Sequence, residues 1–295
     1  MRIVIAGSSG LIGTELVASL RNDGHEVIKL VRRPPVASSE VYWNPSAGEI
    51  DSSALTECEV FINLAGAGVG DRRWSKSYKD LIRSSRVDST LLLAKTAAEI
   101  KPKVFIAGSA IGWYGDTADR KVNETSPAGT GFLAEVVVAW EDATKPARDA
   151  GVRVVNIRTG LVAAKNGGAW AKLLPLFKLG VGGKLGSGKQ YWSFISIQDE
   201  ISAIKFLIDS PTISGPVNLT APEPATNAQV TKAMSKVFNR PALFPVPAFA
   251  LKSVLGEFSQ EVLGSSRVIP TVLLENGFTF ADPSIESAMI TLAAK

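Results

Sequence analysis

Cysteine and histidine are nearly missing from this chain of 295 residues, which has one of each, Cys58 and His25. A single thiol closes no internal disulfide, fits a reducing compartment and reads as a small apolar core residue. A lone histidine just after the first helical segment argues against histidine-based acid/base chemistry and against a histidine-rich metal site, so no metal is expected. No apolar run approaches the roughly 20 residues that a membrane helix needs. The start, MRIVIAG, lacks the basic, apolar and cleavage-site order of a signal peptide. The expectation is a cytoplasmic protein with no membrane partner. A dense basic block is also lacking: 32 Lys and Arg stand against 28 Asp and Glu, spread along the chain, so nucleic-acid binding is not expected. A phosphate-bearing small molecule accounts for the excess. No repeat, low-complexity run or flexible interdomain linker is present, and the oligomeric state stays open.

What the chain does have comes first in it. Arg2 to Ala6 is an apolar run of strand length; it turns through Gly7, Ser8, Ser9 and Gly10 into a segment whose apolar residues Ile12, Leu16, Val17 and Leu20 recur at helical spacing. In this strand, turn and helix, Gly7 permits the tight turn, Gly10 lets backbone amides reach a phosphate, and Gly13 allows close helix–strand packing. Gly7, Ser9, Gly10, Leu11, Ile12 and Gly13 are therefore candidate dinucleotide ligands, with the pyrophosphate at the helix N-terminus. Glu26 to Val31 alternates as a second strand, and its tip carries Arg32 and Arg33, where an acidic residue would suit the ribose 2′-hydroxyl of NAD. Two arginines there favour NADP.

Strands then alternate with helices: apolar runs at Glu59–Ala65, Lys103–Ser109 and Val152–Arg158 are separated by helical stretches within 74–99 and 132–150. That order predicts an α/β fold with a Rossmann-type doubly wound parallel sheet. The first 160 residues are expected to form the nucleotide-binding domain, with a strand returning near 216–220. Residues 161–295 are expected to be a smaller, mixed substrate-side region, with Gly- and Lys-rich loops around 180–189 suited to a lid. Ser109 and Tyr114, at and just beyond the end of a buried strand, are candidate catalytic hydroxyls. The apolar residues Phe249, Leu251, Val254, Leu255 and Phe258 are expected to need a covering surface.

The stretches AGSSGLIGTEL, NLAGAGV, RRWSKSYKDLIRSSRV, GSAIGWYGD, FLAEVVVAWE, IRTGLV and PVNLTAPEPATN, in this order, resemble the atypical epimerase family of the extended short-chain dehydrogenase/reductase superfamily, also described as SulA-like sugar-nucleotide epimerases. The resemblance spans essentially the whole chain. It implies NADP as cofactor, with Arg32 by the 2′-phosphate, Leu64, Ala65 and Gly66 along the adenosine side, Arg86 nearby and Val162 by the nicotinamide. It also implies a small appended domain over about 248–295. Two departures stand out. The superfamily's Tyr-x-x-x-Lys pair falls on Leu133 and Val137, or one residue earlier on Phe132 and Val136, and Ser196 stands where relatives often have histidine. An oxidoreductase or epimerase acting on a small, possibly nucleotide-sugar-like molecule is the first reading, and a non-catalytic NADP(H)-binding sensor the alternative.

Overall fold

The computed structural model describes residues 1–294. The chain starts with β1 (Arg2–Ala6), α1 (Leu11–Asn22) and β2 (Glu26–Val31), followed by β3 (Glu40–Asn44) and the two-residue β4 (Glu49–Ile50). β5 (Val60–Asn63), α2 (Lys76–Ile100) and β6 (Val104–Ala110) continue the alternation; β6 passes into a 3-10 turn over Ile111–Tyr114. The short β7 (Lys121–Val122) precedes α3 (Phe132–Asp142), α4 (Lys145–Asp149) and β8 (Val154–Thr159). The helical stretch expected over 132–150 is thus split, with Pro146 at the start of the second piece, where the ring suits a first turn and not a helix interior.

Beyond β8 come β9 (Leu161–Ala163), α5 (Gly168–Lys178), β10 (Tyr191–Trp192), β11 (Phe194–Ser196), α6 (Ile197–Asp209) and β12 (Gly215–Leu219). The chain closes with β13 (Ala225–Thr226), α7 (Asn227–Phe238), α8 (Ala248–Leu255), α9 (Ser259–Leu263), β14 (Arg267–Val268), α10 (Thr271–Glu275) and α11 (Ile285–Ala294).

Eight strands form one sheet in the order β12-β8-β6-β5-β1-β2-β3-β4, parallel except for the β3–β4 pair. Both faces of a parallel sheet are covered, so its strands are apolar on both sides. Ile3, Ile5, Ile62, Ile106 and Ile157 point to the layer that holds α1 and α6, while Val4, Ala6, Phe61, Phe105 and Ala107 point to the layer with α2. β12 returns as the sheet's edge strand. Its outer edge is covered: the Asn218 N–H donates to Glu124 Oε1 (3.0 Å) and Asn218 Nδ2 donates to the Ile269 carbonyl (3.0 Å). The same Glu124 oxygen accepts the Val272 N–H (3.3 Å).

A second core beyond the sheet gathers Trp170, Phe177, Trp192, Phe194, Met234 and Met289 from α5, α7, α11 and the short strands between them. The Asp199 carboxylate ties the C-terminal stretch to α6 by accepting from the Ala281 and Asp282 amides at 2.8 and 2.9 Å. Of the five C-terminal apolar residues expected to be covered, Leu251 is buried and Phe258 packs on Trp74, but Phe249 and Val254 are 75% and 74% exposed. The reason is geometric: the eight-residue α8 turns one side inward, and Phe249 and Val254 lie off that side.

Candidate functional site

β1 ends where the glycines begin, at the C-terminal edge of the sheet, where open α/β folds bind ligands. Gly7 has φ +79°, and a Cβ on it would lie 2.6 Å from the Leu64 backbone. A Cβ on Gly13 would lie 2.1 Å from the Gly7 carbonyl oxygen. Only glycine fits either position, which leaves bare backbone around the turn. α1 begins at Gly10 with no side-chain cap and no acidic residue in its first turn. The amides of Leu11, Ile12 and Gly13 precede the first intrahelical bond, from the Thr14 N–H to the Gly10 carbonyl (2.9 Å), so they face outward with the positive end of the helix. Ser9 is exposed beside them.

The next strand tips complete the cradle. Leu64, Ala65 and Gly66 follow β5, with the Asn63 side chain accepting from the Ala65 amide (3.1 Å) and donating to Thr90 (2.8 Å). Arg86 lies under this turn, 3.2 Å from where a Gly66 Cβ would be and 5.1 Å over the Trp140 ring. Burial lowers its guanidinium to about 10, and its one side-chain hydrogen bond among the described residues is to the Ile82 carbonyl (3.0 Å). Val162, on β9, is half-buried and packs against the sheet core. Gly167 then comes down on Leu11, its notional Cβ 3.0 Å from Leu11 Cδ1, which brings the segment after β9 over the start of α1. Lys172 of α5 donates to the Gly70 carbonyl (2.8 Å), joining that segment to the loop after β5.

The two arginines at the β2 tip differ. Arg33 is held in a two-pronged pair with Glu40 (2.9 and 2.7 Å), and Glu40 also accepts the Val36 amide (2.9 Å). The Arg33 hydrogen bonds and the Val36 amide together bring Glu40 down to about 2. Arg32, exposed next to it, makes no hydrogen bond or ion pair with another described residue. Of the pair, Arg32 is the cation open to a phosphate.

Ser109 and Tyr114 meet in a buried polar network. Ser109 Oγ donates to Glu141 Oε1 (2.6 Å), and Arg158 donates to the two oxygens of the same carboxylate (2.7 and 2.9 Å). Arg158 also donates to the Tyr114 hydroxyl (3.1 Å), which itself donates to Asn218 Oδ1 (2.8 Å). The guanidinium lies 3.9 Å over the Trp113 ring. Burial alone would lower Arg158, but the hydrogen bonds and charge of Glu141 outweigh it and the guanidinium is raised. Burial raises the Tyr114 phenol, with Arg158 opposing it only in part. The phenol is therefore neutral, and its proton is engaged by Asn218. Leu133 and Val137, two turns and one turn before Glu141 on α3, lie over Gly112, with 3.4 and 3.7 Å from its notional Cβ to Leu133 Cβ and Val137 Cγ2. The side of α3 that faces the end of β6 is apolar until Glu141.

Glu141, Arg158 and Asn218 are the site residues that the sequence reading did not single out. The one available signal was a charge inside each apolar run: Arg158 ends a buried strand, and Glu141 follows Trp140 in a helix of Val and Ala. Among the described residues, no group of three or more His, Cys, Asp or Glu side chains is placed to hold a metal ion.

Gly13→Ala is expected to force the helix off the turn, because the new methyl meets backbone that cannot rotate away. A loss of about 1–3 kcal/mol in stability should accompany weaker NADPH binding, measured by thermal unfolding and titration. Wild-type values in both would contradict the close approach of Gly13 to Gly7.

Comparisons with known proteins agree with this geometry. Residues 3–219 match the NAD dependent epimerase/dehydratase family, and residues 246–292 match a domain of unknown function, DUF1731. The chain is 46% identical over 288 residues to epimerase family protein MT2273 of Mycobacterium tuberculosis, covering 97% of this chain and 96% of that one. It is 31% identical over 300 residues to human epimerase family protein SDR39U1, covering all of both. The crystal structure of human SDR39U1 (isoform2) with NADPH superposes with a TM-score of 0.91 at 28% identity, covering 100% of this chain and 99% of that one. A nucleoside-diphosphate sugar epimerase from Corynebacterium glutamicum superposes with a TM-score of 0.83 at 36% identity, this chain spanning 59% of it. With its glycine turn, parallel sheet and C-terminal segment all matched, this chain belongs to the NAD dependent epimerase/dehydratase family.

Proposed function

We propose that this protein binds NADP(H) along the C-terminal edge of the sheet and acts there as an atypical oxidoreductase or epimerase on a small molecule. The observation that carries this reading is the glycine cradle: Gly7 and Gly13 leave no space for a Cβ, and an uncapped helix opens onto them. When bound, the nicotinamide supplies hydride transfer. The chain's own residues would do the rest. The amides of Leu11, Ile12 and Gly13 hold the pyrophosphate, Arg32 pairs with the 2′-phosphate, Leu64, Ala65 and Gly66 line the adenosine side with Arg86 beneath, and Val162 lies at the nicotinamide end. The bound NADPH of the human relative supports the phosphorylated cofactor.

Titration calorimetry with NADPH and NADH tests the cofactor assignment. A charge-assisted bond contributes roughly 1.5–3 kcal/mol, so NADPH should bind about ten- to a hundredfold more tightly. Arg32→Glu should erase the preference. Arg33→Met should keep most of it, since Glu40 already occupies that guanidinium. Equal affinities in the wild type would remove the 2′-phosphate from the β2 tip.

A second reading, a cofactor-binding sensor without turnover, is favoured by the Ser109–Glu141–Arg158–Tyr114–Asn218 network. Proton exchange with a substrate oxygen needs a donor that titrates, and general acid/base catalysis typically contributes about 10²- to 10⁴-fold. Here Leu133 and Val137 replace the usual pair, Ser109 donates to Glu141, and Tyr114 is a raised phenol bonded to Asn218. NADPH oxidation over a panel of carbonyl and sugar-nucleotide substrates, in wild type, Ser109→Ala and Tyr114→Phe, separates the readings. Turnover lost in both variants assigns the chemistry to these hydroxyls, whereas tight NADPH binding with no turnover assigns the sensor.

A further inference from the structure

One lobe of the molecule combines a one-sided charge with bare apolar side chains. Residues 165–198 contain five lysines and no acidic residue, and residues 224–256 contain three lysines and Arg240, again with no acidic residue. Since the chain's formal net charge is only +4, the remaining residues together carry −5. The two basic segments are joined by backbone hydrogen bonds: the Phe244 amide donates to the Gly182 carbonyl (3.4 Å), Val246 to Lys184 (2.8 Å) and Gly186 to Val246 (2.9 Å). On this junction Leu179, Leu243 and Phe244 are 74%, 75% and 60% exposed, and Phe249 follows at 75% in the first turn of α8. Lys178, Lys184, Arg240 and Lys252 are exposed around them.

Large apolar side chains three-quarters in water stand out from the surface instead of lining a groove, unlike the pocketed anchors of protein–protein interfaces. Pro241, Pro245 and Pro247 restrict the backbone that carries Leu243 and Phe244, which lowers the cost of holding them outward. A second copy meeting this lobe symmetrically would set like charges against each other. A soluble anion would use the lysines but leave Leu and Phe in water. An anionic bilayer surface uses both, because cations meet headgroups while apolar side chains enter the headgroup–acyl boundary.

We propose that this lobe docks peripherally on an anionic lipid surface, with Leu179, Leu243, Phe244 and Phe249 inserted and Lys178, Lys184, Arg240 and Lys252 on the headgroups. The expectation of no membrane partner came from the lack of a spanning segment. Among the described residues no helix is long and apolar enough to cross a membrane, but a surface-lying contact needs none.

The experiment is co-sedimentation of the full chain with vesicles of phosphatidylcholine alone and of phosphatidylcholine mixed with phosphatidylglycerol, at low and high salt. Binding is expected on the mixed vesicles only and should fall with salt. Each cation near an anionic surface is worth about fivefold in partitioning, so Lys184→Glu with Arg240→Glu should cost more than about tenfold. Leu243→Ser with Phe244→Ser should also cost at least about tenfold. NADPH titration of both double variants, expected at wild-type affinity, checks the fold, so the proposal stands or falls apart from the nucleotide reading. Binding to neither vesicle, equal binding to both, or full retention in both variants overturns it. Binding to polyglutamate but not to vesicles would replace the bilayer by an acidic protein. A dimer in solution that the apolar double variant dissolves would replace it by a second copy.

Discussion

Replacing Arg158 by Met is expected to destabilise the protein by about 3–5 kcal/mol, the usual cost of leaving one member of a buried ion pair alone. Arg158 is 2% exposed and Glu141 7%, and their two-pronged contact is the centre of the polar network between β6, β8 and α3. Without the guanidinium, the Glu141 carboxylate keeps only the Ser109 hydroxyl, and the Tyr114 oxygen loses a donor. Adding Glu141→Leu should recover much of the loss, because an apolar pair of similar volume is often as stable as a buried ion pair. Urea unfolding of the wild type, both single variants and the double variant gives the coupling directly. A single-variant loss below about 1 kcal/mol, in the range of exposed pairs, would show that water reaches the pair. The double variant also bears on the chemistry, since it removes the acceptor that now takes the Ser109 proton.

Alkaline pH should weaken the wild type far more than Glu200→Gln. Glu200 is fully buried in the first turn of α6; its Oε1 accepts the Thr159 hydroxyl (2.8 Å) and its Oε2 has no partner. Burial raises the carboxyl from 4.5 to about 8, against the smaller opposing effect of the Thr159 hydrogen bond. The sign follows from proton binding. Between these values the folded protein holds a proton that the unfolded chain has released, so stability falls as pH rises through this window and levels off above it. A shift of this size corresponds to on the order of 5 kcal/mol, at about 1.4 kcal/mol per unit. Glutamine copies the shape of the protonated acid and cannot ionise. The variant should therefore equal or fall below the wild type near pH 5 and exceed it near pH 9, with the crossing read from denaturant unfolding. Parallel pH profiles would mean that Glu200 is ionised in the folded protein.

The parts of the fold that were legible in the sequence are those written locally. Gly7, Gly10 and Gly13 lie within one turn and one helix start, and the requirement that excludes a Cβ is set by neighbours a few residues away and by the next strand tip. The parallel order could be read because apolar runs of strand length alternate with helical spacing. The two-residue β4 carries too short a pattern to be read, and the break between α3 and α4 had only Pro146 to mark it. Arg32 and Arg33 look alike in sequence; Glu40, seven residues on, separates them by occupying one. The network at Ser109 was invisible for a different reason. Its links join positions 32, 44 and 104 residues apart, and no local spacing encodes which side chain the sheet will bring opposite which. Their place at the end of a buried strand marked Ser109 and Tyr114, but only the folded chain shows that both hydroxyl protons are already engaged.

The covered edge of β12 bears on how the chain's two matched segments relate. The epimerase match ends at residue 219 and the appended one begins at 246. Ile269 and Val272, inside the appended segment, take up hydrogen-bonding groups of Asn218 and Glu124 on the other side of that boundary. A chain ending between the segments would leave the Asn218 side-chain amide without its acceptor and one Glu124 oxygen without a donor, and would uncover Val217 and Leu219 of the outermost strand, on which Val272 and Leu273 pack. The appended segment is thus the selvedge of the parallel sheet, and the boundary between the two families is a line in sequence across a single woven fabric.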